Sequence, residues 1–203
     1  AGAGAGVNRS AWAPALQGCL PGDPLPPAGR LYCVDGGASP PNCHVVADAG
    51  PVGVSNGMAW SPQGHIMYYV DSPARCIYAF DVDQSTICGL ANKRVFASTA
   101  PYVPEDAVPD GLTVDSEGGV WVAMWNGGCV LCFRADGTLE RAVRLPVSRP
   151  TAVAFGGPGL RTLYVTSCSR DKMQALPLPQ EPLAGSLFSI ETEVSGLPER
   201  ETA

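Results

Sequence analysis

The amino-acid sequence predicts an all-β chain of the β-propeller class. A short polar residue that leads into an apolar strand recurs at Asn56, Asp110 and Thr151, with spacings of 54 and 41 residues. Each copy opens a unit of short apolar segments separated by turns, and four short strands repeated every roughly 40–50 residues are typical of propeller blades. The 24 Gly and 20 Pro residues also favour many turns over long helices.

Length and composition divide the chain into three parts. Its 203 residues are enough for one domain with a sizeable core. Residues 1–28 are rich in Ala, Gly and Pro and show little periodicity, so we expect a disordered leader. Residues 29–195 carry the strand pattern of a partial propeller, and residues 196–203 are expected to be a short C-terminal tail.

The first strands are expected to form a hairpin from residues 31–37 and 44–47, which leads into the first motif. The first unit then contains four segments rich in aromatic and β-branched residues, at 57–60, 66–70, 76–80 and 93–97. We expect residues 81–83 to turn the chain between the last two of these strands.

The second unit repeats this order and the third repeats part of it. Strands of the second unit are predicted at 111–114, 120–124, 129–133 and 139–145, with a hairpin turn at 134–137. The third unit begins at Thr151, continues at 162–166 and closes at 185–190, after an irregular excursion over 169–182. Unequal spacing of the motifs falls in the loops, where length varies most easily.

Charge and hydropathy argue against two classes of partner. The formal net charge is −6 and the sequence has no basic stripe interleaved with aromatic residues, so we expect no nucleic-acid partner. No apolar run reaches the roughly 18 residues that a membrane span requires, so we expect no membrane partner.

The eight cysteines are spread along the chain without a compact framework. No secretory signal is visible, and we therefore interpret most of them as buried thiols of a cytoplasmic protein. Cys129 and Cys132 form a C-x-x-C pattern within a predicted strand. Residues three apart on a strand point to opposite faces, so we do not expect a redox or zinc pair.

Asn56 and Asp110 are the candidate metal ligands. Residues just before the innermost strand of each blade lie at the mouth of the central channel, so these two side chains should converge there. An amide oxygen and a carboxylate suit a hard divalent cation such as calcium, and less typically zinc or manganese. Gly57 and Gly111 should let the backbone turn sharply inward. The alternative is that Asn-Gly and Asp-Gly are ordinary turn dipeptides.

Several segments together resemble one known family. They are residues 54–62, 67–72, 109–115, 120–128, 145–157, 163–167 and 182–188. In content and order these segments are similar to the SMP-30/gluconolactonase/regucalcin-like (LRE) family, and the resemblance covers about residues 29–192.

This resemblance implies a six-bladed propeller that binds one divalent metal ion, calcium or zinc, and hydrolyses sugar lactones. By motif, Asn56 corresponds to a metal ligand of the family, and Asp110 to a second ligand that is also its general acid/base. Asn126 is a candidate substrate contact at the channel mouth, although Asn-Gly is also common in plain turns. The expected partner is a small-molecule lactone.

The sequence also departs from the family pattern. The family has a third metal ligand, a Glu near its N-terminus, and residues 1–28 contain no Glu. About 3.5 blades are expected here, so the propeller is interpreted as lacking an N-terminal part and as prone to self-association through its open edges. The competing hypothesis is therefore a degenerate or truncated propeller that acts as a non-catalytic binding module.

Overall fold

The computed structural model describes residues 29–35, 37, 42–46, 49–86, 88–169 and 181–198. The expected leader, residues 1–28, lies outside the described residues, as do residues 199–203 of the expected tail. Within the described ranges the chain is all-β, as predicted, and no helix there is long and apolar enough to cross a membrane.

The strands form a hairpin and three antiparallel sheets. The hairpin consists of β1 (Tyr32–Asp35) and β2 (Asn42–Val45). The first sheet contains β3 (Ser55–Trp60), β4 (Ile66–Asp71), β5 (Cys76–Asp83) and β6 (Gly89–Ser98). The second contains β7 (Val108–Val114), β8 (Val120–Trp125), β9 (Cys129–Phe133) and β10 (Leu139–Arg144). The third contains β11 (Pro150–Gly156), β12 (Thr162–Ser167) and β13 (Phe188–Glu191).

Each sheet is a meander in which sequential strands are neighbours, which is the arrangement of a propeller blade. The predicted hairpin and the strands of the three predicted units are present, and residues 170–180 of the predicted excursion lie outside the described residues. Short 3-10 turns at Ala100–Tyr102 and Pro158–Leu160 lie between β6 and β7 and between β11 and β12.

Packing between neighbouring sheets forms the core. One buried cluster joins the hairpin to the first sheet, a second joins the first and second sheets, and a third joins the second and third sheets. Strand β9 shows why the second sheet is the most apolar: Leu131 packs towards the first sheet, while Val130 packs towards the third. A sheet covered on both faces requires continuous apolar strands rather than alternating ones.

The predicted turn at residues 81–83 is wrong, because these residues continue β5. The turn comes later, around Gln84. Asp81 forms an ion pair of 2.7 Å with Arg94 and accepts a hydrogen bond of 2.8 Å from Asn92 on β6. Cross-strand polar pairs of this kind extend strand pairing into residues that look turn-like in the sequence.

The interpretation of the cysteines as mostly buried thiols is also wrong. Cys33 of β1 forms a disulfide with Cys88, which lies just before β6. Cys43 is an exposed free thiol, and only Cys129 and Cys132 among the described cysteines are both free and buried. These last two belong to different core clusters, so they point to opposite faces of β9 as predicted.

Candidate functional site

The innermost strand of each sheet has a β-bulge at the repeated motif. The pairing register of β3 shifts between Ser55 and Met58, that of β7 between Pro109 and Leu112, and that of β11 between Pro150 and Ala152. Each bulge thus contains the motif residue, which is Asn56, Asp110 or Thr151. Bulges re-aim side chains and are common beside active sites. The motif residues were expected to precede their strands, but they lie inside them.

The two motif glycines are needed because the inner strands approach each other closely. A Cβ on Gly57 would lie 2.6 Å from the carbonyl oxygen of Asp110, and one on Gly111 would lie 2.8 Å from the Cα of Ala152. Neither glycine has a positive φ. The expectation of a sharp inward turn is therefore wrong, and the close passage of one backbone past another explains the missing side chains.

The structure brings Asn56 and Asp110 together, because the Asn56 side-chain amide lies close enough to the Asp110 carboxyl group to lower its pKa. The same amide nitrogen lies 3.2 Å from Oγ of Ser72. Ser72 is buried and donates a hydrogen bond of 2.7 Å to the carbonyl oxygen of Pro109. A continuous polar chain therefore ties the bulge of β3 to that of β7.

The sequence did not reveal the roles of Asp71 and Ser72 in positioning Asn56 and Asp110. The buried carboxylate of Asp71 accepts hydrogen bonds of 3.1 and 3.2 Å from the backbone N–H groups of Gly53 and Val54, just before β3. The only available signal was their position, since both residues follow the apolar run of β4. They fix the start of β3 and hence the place of Asn56.

Burial raises the pKa of Asp110 to about 6. Hydrogen bonds from the Asn56 side chain and the Gly111 backbone act in the opposite direction, but they do not cancel the loss of hydration. A carboxyl group with a pKa near neutrality can both accept and return a proton at ordinary pH.

The side-chain oxygens at this site are of the type that a hard cation prefers, but there are few of them. Asp110 supplies a carboxylate, and Asn56 supplies an amide oxygen that accepts no hydrogen bond within the described part of the chain. In that same part, no three His, Cys, Asp or Glu side chains are grouped for a metal ion. Calcium takes six to eight oxygen ligands or so, and it accepts carboxylates, amides and water. The two side chains therefore fit one side of such a centre.

Asn126 lies at the same end of the sheets as Asp110, in the turn that follows β8. Its φ of 58° is left-handed, and Val108 of β7 pairs with the preceding Trp125. The Nε of Arg149 donates a hydrogen bond of 2.9 Å to the Asn126 side-chain oxygen, and the guanidinium stacks 5.1 Å from the Trp125 ring. Arg149 is buried and holds this turn in place. Its role could not be read from the sequence.

Comparison with known proteins identifies the family of the chain. The sequence profile described as SMP-30/Gluconolactonase/LRE-like region matches residues 11–169. The chain belongs to this family. The profile match begins at residue 11, whereas the resemblance noted in the sequence begins at about residue 29.

Relatives within the SMP-30/gluconolactonase family include two named lactonases. The pentonolactonase of Haloferax volcanii is 35% identical over 185 residues, which cover 90% of this chain and 60% of the relative. The 6-deoxy-6-sulfogluconolactonase of Pseudomonas putida is 40% identical over 152 residues, which cover 74% of this chain and 50% of the relative. The chain thus spans about half the length of the curated relatives it matches.

A solved structure gives the family fold. Regucalcin of Agrobacterium tumefaciens, a calcium-binding protein, superposes with a TM-score of 0.70 at 26% identity, over 85% of this chain and 55% of that one. The hairpin and the three sheets are therefore part of a six-bladed propeller of the regucalcin type, as the sequence predicted.

Proposed function

We propose that this chain supplies Asn56 and Asp110 to a divalent-metal centre that hydrolyses sugar lactones. The observation that carries the proposal is that the equivalent bulges of β3 and β7 bring Asn56 and the Asp110 carboxyl group together. The lactonase names of the two relatives support the substrate class. The calcium-binding regucalcin structure supports a divalent cation.

Asn56 and Asp110 would hold the cation through their side-chain oxygens. All-oxygen coordination favours calcium over zinc, which prefers nitrogen and sulfur ligands. A bound cation would polarise the lactone carbonyl as a Lewis acid. Water molecules and the substrate would complete the coordination shell.

Asp110 carries the proton transfers in this proposal. Its carboxylate takes a proton from the attacking water while the water oxygen bonds to the lactone carbonyl carbon. The proton then passes to the ring oxygen as the carbon–oxygen ring bond breaks, which leaves a hydroxy acid. General acid/base assistance of this kind typically contributes a factor of about 10²–10⁴ in rate.

Hydrolysis of D-glucono-1,5-lactone and of a pentonolactone tests the proposal. With the 203-residue chain, calcium or zinc should raise the rate above spontaneous hydrolysis. Asp110→Asn should lower the enzymatic rate about 100-fold or more. Asn56→Ala should weaken the stabilisation by calcium in thermal unfolding. Glu105→Gln changes an exposed carboxylate of the neighbouring loop and should leave both measurements unchanged.

Failure of this test has two informative forms. Metal-dependent stabilisation without hydrolysis would favour the alternative of a non-catalytic binding module. The small number of metal-ligand side chains among the described residues is consistent with that alternative. Hydrolysis that is unchanged in Asp110→Asn would refute the role of Asp110 outright.

A further inference from the structure

The third bulge, at Thr151, is not used by the metal proposal. It lies at the same register position of β11 as Asn56 and Asp110 do in β3 and β7. A Cβ on Gly111 would lie 3.0 Å from the carbonyl oxygen of Thr151, so Thr151 follows Asp110 around the ring as Asp110 follows Asn56. Thr151 therefore continues the row of motif side chains.

The hydroxyl of Thr151 has a partner that orients it. Its Oγ1 lies 2.7 Å from Oγ1 of Thr166 on β12, and either atom can be the donor. The Thr166 hydroxyl also lies 3.5 Å from the carbonyl oxygen of Ala152. Each hydroxyl has one donor and two acceptor positions, so the pair retains acceptor capacity after this mutual bond. Thr151 is half-buried and Thr166 is exposed, which leaves the pair accessible to a ligand.

We propose that Thr151, oriented by Thr166, binds a ring hydroxyl of the substrate beside Asp110. This inference rests on the proposed lactone hydrolysis. A neutral hydroxyl group adds little to a metal centre, but it matches the donor and acceptor character of a sugar hydroxyl. Sites that hydrogen-bond a substrate hydroxyl discriminate against analogues that lack it. Thr151 is thus a determinant of specificity for polyhydroxylated lactones.

A Thr–Thr pair across neighbouring strands also stabilises a sheet, whatever it binds. Loss of thermal stability in a Thr151 variant is therefore expected in either case. The deciding measurement compares ligands with and without hydroxyl groups, because a purely structural role would affect both equally.

Calorimetric binding of two lactams, which resist hydrolysis, provides this comparison. The probes are D-glucono-1,5-lactam and unsubstituted δ-valerolactam, in the presence of calcium. Thr151→Val, which removes only the hydroxyl, should weaken gluconolactam binding about 5- to 10-fold, the usual effect of one lost hydrogen bond. Thr151→Ser should restore binding to within about 2-fold of wild type, and neither change should affect valerolactam.

The outcomes separate this inference from the proposed hydrolysis. Equal gluconolactam binding by wild type and Thr151→Val would overturn the role of Thr151 even if hydrolysis proceeds. A parallel loss of both lactams would show a structural role only and would also overturn it. No gluconolactam binding by wild type would overturn it as well. Selective loss of gluconolactam by Thr151→Val supports the inference even in a chain that fails to hydrolyse lactones.

Discussion

Asp110 is held where its charged form is disfavoured, and this should cost the fold stability at neutral pH. Its pKa is about 6 in the folded chain and 3.8 in its ordinary state. Between these values the folded state binds more protons than the unfolded state, so stability falls as the pH rises from about 4 to about 6 and stays low above. Asp110→Asn has no carboxyl group to ionise and should escape this loss.

We expect Asp110→Asn to be more stable than wild type by about 1–2 kcal/mol at pH 7, after a discount for partial exposure. The difference should vanish near pH 4. Urea unfolding in a chelating buffer measures it at both pH values. Asp136→Asn is a matched control, because the Thr138 hydroxyl lowers the pKa of Asp136 and no gain at pH 7 is expected there. A destabilised Asp110→Asn at pH 7 would contradict the argument.

Gly57 is a second residue whose identity follows from its surroundings. A methyl group there would meet the backbone of β7, which cannot move without displacing Asp110. Gly57→Ala should therefore lower the free energy of unfolding by about 1–3 kcal/mol and abolish calcium stabilisation.

Gly156→Ala on β11 is its control. The nearest atoms to a Cβ at Gly156 belong to the Tyr164 side chain, at 3.0 and 3.3 Å, and a side chain can rotate away. We expect a smaller change in the melting temperature for this variant. Equal losses in the two variants would refute the distinction between backbone and side-chain crowding.

At the residue scale, the repeat in the sequence was enough to pair Asn56 with Asp110. Equivalent positions of a repeated unit occupy equivalent places, and this is true of Thr151 as well. Ser72 and Arg149 were not predictable, because they act through hydrogen bonds between segments that are distant in the chain. Their residue types carry no signal of such partners.

At the scale of elements, the β1–β2 hairpin depends on contacts made far along the chain. Leu31 and Val46 pack on the face of the first sheet, and the Cys33–Cys88 disulfide ties the hairpin to the loop before β6. The disulfide spans 55 residues. Closing a loop of that size stabilises a fold by about 4 kcal/mol in the chain-entropy account.

The double variant Cys33→Ser/Cys88→Ser should therefore melt at a lower temperature than wild type under non-reducing conditions. Wild type with a dithiol reductant should match it. Cys43→Ser, which removes an exposed free thiol of the same hairpin, should leave the melting temperature unchanged. Titration of all eight thiols in the unreduced protein would show that the bridge does not form.

Strand order was predictable from the sequence because apolar runs and turn residues alternate clearly. The ends of the strands were harder to predict, because the Asp81–Arg94 pair keeps β5 and β6 together where the local sequence suggests a turn. The disulfide could not be read from cysteine spacing, which does not determine connectivity. The disulfide also disagrees with the expectation that the cysteines are thiols in a reducing cytoplasm, because disulfides persist mainly in oxidising compartments.

At the scale of the whole molecule, five of the ten exposed large apolar side chains of the described residues lie on the hairpin and on β3. Tyr32, Val34 and Val45 of the hairpin are each more than half exposed. Met58 and Trp60 of β3 are 45% and 43% exposed, and they pair with Tyr69 and Met67 of the cluster beneath the hairpin. Met58 and Trp60 therefore lie on the face of the first sheet that bears the hairpin, and the three hairpin side chains lie on the hairpin's outer face.

An apolar face of this kind favours association, since large exposed apolar patches are rare on monomers. We expect the chain to self-associate, and light scattering after size exclusion should give a mass above 21.0 kDa. Met58→Gln/Trp60→Gln should shift the distribution towards the monomer. Tyr102→Gln, which changes an exposed aromatic residue in the connection between β6 and β7, should leave it unchanged. A monodisperse wild-type monomer at micromolar concentration would rule out this face as an interface between copies.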